Sequence, residues 1–205
     1  RVTGRLTRRW RIVAATAAAM LVCTAAAAHG APRGKVLVAA AANLGSLAER
    51  LEAAFSAATE GAEVDFVFAS SGALTTQIKN GAPFQVFLAA DTSFPESLVA
   101  EGFAAGPAKI YARGKLILLS ARPRDFSAGL AVLAGKDVER FAIANPEIAP
   151  YGAAAVQALT AAGLWEKVSP KAVMGQNLGQ AIQYTLTAAG FGIVNKSALF
   201  TKELA

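Results

Sequence analysis

Lys35–Ala58, KVLVAAAANLGSLAERLEAAFSAA, changes its period halfway along. Lys35 to Ala40 is a short, valine-rich apolar run, the signature of a strand buried on both faces. From Gly45 to Ala58, Leu47, Leu51, Ala54 and Phe55 recur at helical spacing. The change recurs downstream. Val64 to Phe68 predicts a strand and Leu74 to Asn80, stopped by Gly81, a short helix. Val86 to Leu88 then predicts a strand and Pro95 to Glu101 a helix. Strand and helix repeated in this way imply an α/β fold with parallel sheets covered by helices.

Ile110 to Ser120 departs from the repeat. It predicts one long extended segment, interrupted by Gly114, that passes between two lobes. A second α/β set is expected beyond it: a helix over Gly129–Leu133, a strand over Phe141–Ala144, a helix over Ala153–Ala162, a strand near Ala172, a helix over Gly179–Leu186 and a strand over Phe191–Val194.

Composition narrows the function. The 205 residues carry a formal charge of +6, but Arg1, Arg5, Arg8, Arg9 and Arg11 crowd the start, and no acid precedes Glu49. With those five set aside, 15 basic residues face 14 acidic ones. A body so close to neutral argues against nucleic acid as a partner. The hydrophobic content of 54% is largely alanine and does not imply a membrane protein. The basic start, the uncharged run Ile12–Ala28 and the small residues before Ala31-Pro32 have the order of a secretory signal peptide, cut near Ala28 to Gly30 so that the mature chain begins between about His29 and Ala31. Val22 stands before Cys23 where lipidation wants a small residue. Cys23 and His29 are the only cysteine and histidine, and both fall in or beside that leader. The body then offers no Cys/His zinc site, no Ser-His-Asp triad and no thiol nucleophile. A nucleotide-dependent enzyme on this fold lacks support as well, since no GxGxxG follows the first strand and no Walker loop is present.

The informative segments lie where strands give way to helices: Ala39–Leu44 (AAAANL), Phe68–Leu74 (FASSGAL), Asn145–Gly152 (NPEIAPYG) and Met174–Gly179 (MGQNLG). In open parallel sheets ligands bind beyond the carboxyl ends of the strands. Helix N-termini there present unshared backbone N–H groups to anions. None of these loops holds Lys, Arg or Asp, and Glu147 is their only acid. Donors without carboxylates suit a fully ionised oxyanion such as molybdate, tungstate or sulfate better than a protonated phosphate. Taken singly, Asn and Ser at such places are ordinary helix caps.

In this order the motifs resemble the molybdate-binding proteins of ABC importers, which have the two-lobed type II periplasmic binding protein fold. The matching stretches are Val38–Leu44 (VAAAANL), Phe68–Ile78 (FASSGALTTQI), Asn80–Phe87 (NGAPFQVF) followed by Ala89-Ala90-Asp91, Asn145–Gly152 and Phe191–Val194 (FGIV). The resemblance runs from Lys35 to about Leu199. It implies a non-enzymatic, monomeric periplasmic protein without a cofactor. Such a protein captures molybdate or tungstate between two lobes and delivers it to a membrane permease; sulfate or thiosulfate is the alternative ligand. It implies a leader over residues 1–30, one lobe over 31–113, a second over 114–195, and a return toward the first over 196–205 that stops short of the family's closing C-terminal elements. It also implies oxyanion donors at Asn43, Ser71, Tyr151 and the Leu178 backbone, with Ala42 adding at most backbone. The metal would be held only through its oxygens, with no direct protein ligand. Asn195 stands where some members have a tyrosine donor. Gln85 stands where many have aspartate, a position read as structural.

Overall fold

A computed structural model describes residues 34–59 and 61–200. The expected signal peptide, with Cys23 and His29, and the last residues of the expected return lie outside them. From Lys35 on, the chain forms one compact unit built on two sheets.

The first sheet has three parallel strands in the order β2-β1-β3: β1 Val36–Ala41, β2 Val64–Ala69 and β3 Val86–Leu88. Between them run α1 (Ala48–Ala58) and α2 (Ser71–Lys79), and α3 (Ser93–Ala100) follows β3. Gln85 fixes the entry of β1. Its amide oxygen accepts from Leu37 N–H at 2.7 Å, and its own N–H donates to Leu37 O at 3.0 Å. The residue read as structural therefore bonds only backbone of this sheet.

The second sheet has four strands in the order β4-β7-β5-β6: β4 Leu116–Ser120, β5 Phe141–Ala144, β6 Ala172–Gly175 and β7 Phe191–Asn195. β5 is parallel to β6 and β7, and β4 is antiparallel to β7. Its helices are α4 (Pro150–Ala161), the single turn α5 (Trp165–Val168) and α6 (Leu178–Tyr184), which continues as a π turn over Thr185–Ala189. Gly190, at φ 75°, ends that turn in the left-handed region and starts the chain back into β7.

The main core belongs to this second sheet. Every residue of β5 and β7 is buried, and Phe141, Ile143 and Ile193 pack with Leu133, Leu159 and Val168. Gly192 is required by this packing, because a Cβ there would collide with the buried Thr185 hydroxyl. By contrast α1 buries no residue completely. Its alanine-rich face covers the first sheet without building a deep core.

Several sequence expectations change. Ile110–Ser120 is not one strand, since only Leu116–Ser120 pairs with a neighbour. Residues 109–115 cross between the sheets, where no strand offers a ladder, and the segment is tied down by Tyr111, whose hydroxyl donates to Ala89 O at 2.8 Å. The expected helix at Gly129 is a 3-10 turn, Gly129–Ala134. The helix expected from Gly45 begins as another 3-10 turn, Ala42–Leu47. α2, α3 and α4 start earlier than expected, at Ser71, Ser93 and Pro150, so the strand-end segments are themselves first turns of helix.

Core depth predicts unequal sensitivity. Leu159→Ala removes a fully buried side chain and should cost about 2–5 kcal/mol in urea unfolding. Leu51→Ala, on the half-exposed α1, should cost clearly less. Equal losses would mean that the first sheet carries a core as deep as the second.

Candidate functional site

Each parallel strand pair delivers its loops to the same edge. β1 ends at Ala41 and turns at once into Ala42–Leu47. β2 ends at Ala69, and an extended Ser70 (φ −66°, ψ 149°) leads into α2. β5 runs through Asn145–Ala149 into α4, where Pro150 occupies the first turn with no N–H to satisfy. β6 runs into α6, capped by Asn177, whose side-chain oxygen accepts from Gln180 N–H at 3.0 Å.

The side chains at these ends are poised unequally. Ser71 is fully buried, and its Oγ accepts from Ala90 N–H at 3.0 Å. Its own hydroxyl proton is therefore still to be donated. Asn43 is half-buried, and its Oδ1 is buried without a partner. Asn195, only 4% exposed, donates from Nδ2 to Ser197 Oγ at 2.6 Å, and its Oδ1 is also buried and unpartnered. Burial raises the Tyr151 phenol above its ordinary pKa, so it stays a neutral donor. Burial and the neighbouring Tyr151 do the same to Tyr111. Leu178 opens α6 with its side chain buried, and Ala42, half-buried, opens the first turn.

The two sheets meet through these ends. Gly72 N–H, on α2, donates to Ile148 O, before α4, at 2.9 Å. A Cβ at Gly72 would stand 2.9 Å from Ile148 Cα and 3.0 Å from its carbonyl oxygen, so only glycine permits this approach. The Ala42–Leu47 turn touches both α6 and the Lys196–Phe200 turn. Beside this junction opens a cleft of about 670 Å³, lined from one side by Asn43, Leu44 and Ala90 and from the other by Tyr151 and Ser197. The crossing segment roofs it, and a Cβ at Gly114 would collide with the Tyr151 hydroxyl.

Of the residues singled out in the sequence, Asn43 and Tyr151 line the cleft directly. Ser71 adjoins the Gly72 contact, Leu178 starts the helix that touches the first turn, and Asn195 immediately precedes cleft-lining Lys196. An adjoining depression, lined by Phe84, Val86, Phe103 and Pro107 and sharing Lys109 and Tyr111 with the cleft, gathers none of these residues. Sequence reasoning named Gly114 only as a break in the extended run, and missed Tyr111 and four cleft-lining cations, Lys109, Arg113, Lys115 and Lys196. The strand-end loops are free of cations, but the cleft is not, because its roof supplies them.

The model of the bacterial extracellular solute-binding protein family matches residues 36–204. The molybdate-binding protein ModA of Rhodobacter capsulatus is 43% identical over an alignment covering 83% of this chain and 68% of its own length. ModA of Azotobacter vinelandii is 42% identical, over 93% of this chain and 73% of its own. The solved structure of the Azotobacter vinelandii periplasmic molybdate-binding protein superposes with a TM-score of 0.69 at 41% identity, covering 78% of this chain and 71% of that one.

The Gly72 contact makes a prediction of sign. In a helix, alanine ordinarily outranks glycine by about 1 kcal/mol. Gly72→Ala should nevertheless lower the melting temperature, because the new methyl meets backbone rather than a flexible side chain. A raised melting temperature would mean that the two turns spread without cost.

Proposed function

This chain belongs to the bacterial extracellular solute-binding proteins and, within them, to the ModA molybdate-binding family, and from that premise we propose that it captures molybdate in the cleft between its two sheets. The observation that carries the reading is the 43% identity to a molybdate-binding protein over most of the chain. The cleft chemistry agrees with it.

A tetrahedral dianion needs donors on several sides and no free carboxylate facing it; Asp91 does line the cleft, with its Oδ1 engaged by Ser93 Oγ and Phe94 N–H. In this reading the Ser71 hydroxyl, already accepting from Ala90 N–H, gives its proton to one oxyanion oxygen. Tyr151 donates as a neutral phenol, and Leu178 donates its backbone N–H from the first turn of α6. Asn43 and Asn195 fit the same role. Each leaves one buried amide position unpartnered, which is costly for an oxygen there. Turning each amide by half a rotation places NH₂ at that position, and at Asn195 the Ser197 hydroxyl then becomes the donor to Oδ1. Asparagine oxygen and nitrogen are assigned from just such networks. Two orphaned acceptors thereby become two donors, as an oxyanion requires. Ala42 adds backbone only.

The two sheets act as the lobes, and the anion, held from both, stabilises the closed arrangement. The permease of an ABC importer then recognises that form. The chain acts in the periplasm as a monomer, without a cofactor and without catalysis. Tungstate, with the same shape and charge, is expected to compete.

Calorimetry with molybdate, sulfate and phosphate in parallel tests the reading, with molybdate expected to bind far more tightly than phosphate; equal or tighter phosphate binding would overturn it. Asn43→Asp keeps the shape and replaces a donor with a negative charge. The lost charge-assisted hydrogen bond is worth about 1.5–3 kcal/mol, and repulsion adds to it. Affinity should fall by about a hundredfold or more, at roughly tenfold per 1.4 kcal/mol, with the melting temperature nearly unchanged. Normal molybdate binding by a folded mutant would remove Asn43 from the site.

A further inference from the structure

The cations around the cleft call for their own explanation. Lys109, Arg113 and Lys115 lie on the crossing segment and Lys196 directly follows β7. All four are exposed. None pairs with an acid among the described residues, whose ion pairs are Lys35–Asp65, Lys79–Glu101 and Arg124–Asp137. The acid lining the cleft is Asp91, and its Oδ1 is engaged by Ser93 Oγ at 3.1 Å and Phe94 N–H at 3.4 Å.

Two of these cations are held side by side. Lys196 N–H donates to Lys115 O at 2.7 Å, just past the paired residues Leu116 and Asn195 at the end of the β4–β7 ladder. Like charges set opposite each other across strands are destabilising. Such a local cost, in a body with nearly equal numbers of basic and acidic residues, marks a place where charge serves something other than stability.

We propose that Lys109, Arg113, Lys115 and Lys196 form a cationic collar that draws dianions into the cleft and sets the rate of capture rather than the strength of holding. The proposal rests on the oxyanion reading of the cleft. The buried groups available to hold the ion are neutral hydroxyl, amide and backbone donors. The collar lies in solvent on long, mobile side chains that water and salt screen. Its field reaches about 8 Å at physiological ionic strength. Charges at a rim act on association and its salt dependence, whereas buried partners act on dissociation. A field focused into a cleft raises association rates by about 10 to 1000 times. A dianion feels it twice as strongly as a monoanion, so the collar also selects by charge before the donors select by shape.

Stopped-flow mixing with sodium molybdate, across a series of sodium chloride concentrations, tests the collar in the variant Lys109→Gln, Arg113→Gln, Lys115→Gln, Lys196→Gln. At the lowest salt its association rate should fall at least about tenfold. The salt dependence should flatten, and the dissociation rate should stay within about twofold. An unchanged association rate, or a loss of affinity through faster dissociation, overturns the proposal. If the unaltered protein gives no heat with molybdate, the reading of the cleft fails by itself. The collar is then tested with a tryptophan reporter, Ile110→Trp in a Trp10→Phe, Trp165→Phe background. Neutralising the collar should cut quenching by iodide several-fold and leave quenching by acrylamide unchanged. Unchanged iodide quenching, or equal loss of both, rejects the collar.

Discussion

The two halves of this protein meet where one backbone donates to another, Gly72 N–H to Ile148 O at 2.9 Å. Neither partner is a side chain, so the contact depends on how closely the main chains approach. That approach depends in turn on the missing Cβ at position 72. The same economy recurs around the cleft. A Cβ at Gly152 would run into Ala144 O, and one at Gly175 would stand 2.7 Å from Ala181 N. Small residues at the strand ends let helix starts, turns and strands crowd together.

This construction suits a fully ionised guest. Burying a lysine or arginine to meet a dianion would carry a large desolvation cost for each charge. Backbone and amide donors carry a much smaller one, and they are preorganised before the ligand arrives. Charge is kept in water, on the segment that roofs the cleft and on Lys196. On the proposed reading, the interior discriminates by the geometry and number of donors, and the exterior by the sign and magnitude of charge. The raised pKa values of Tyr111 and Tyr151 follow from the same desolvation, which keeps both phenols protonated over the ordinary range of pH.

Much of this was legible in the sequence, for stated reasons. The alternation of apolar runs with helical spacing marks the strands of both sheets, most plainly where burial on both faces enforces a continuous apolar run, as at Phe141–Ala144 and Phe191–Val194. The helices starting at Ser71 and Pro150 begin upstream of the expected Leu74 and Ala153, since Ser-Gly and Ala-Pro-Tyr-Gly read locally as turns although their residues already form the first turn of helix. Ile110–Ser120 misled because apolar, glycine-broken sequence looks extended whether or not a neighbouring strand is there to pair with it. The collar could not be read at all. Lys109 to Lys115 and Lys196 are far apart in the chain, and only the β4–β7 pairing brings them to one rim. The contact between Gly114 and Tyr151 is invisible for the same reason.

The most direct measurement is diffraction from crystals grown with molybdate, using the anomalous signal of molybdenum to locate the ion without reference to any assumed pose. A single strong peak is predicted in the cleft, within hydrogen-bond reach through its oxygens of Asn43, the Ser71 hydroxyl, Tyr151 and the Leu178 N–H. A peak seated instead among Lys109, Arg113, Lys115 and Lys196, or no peak between the two sheets, would contradict the account.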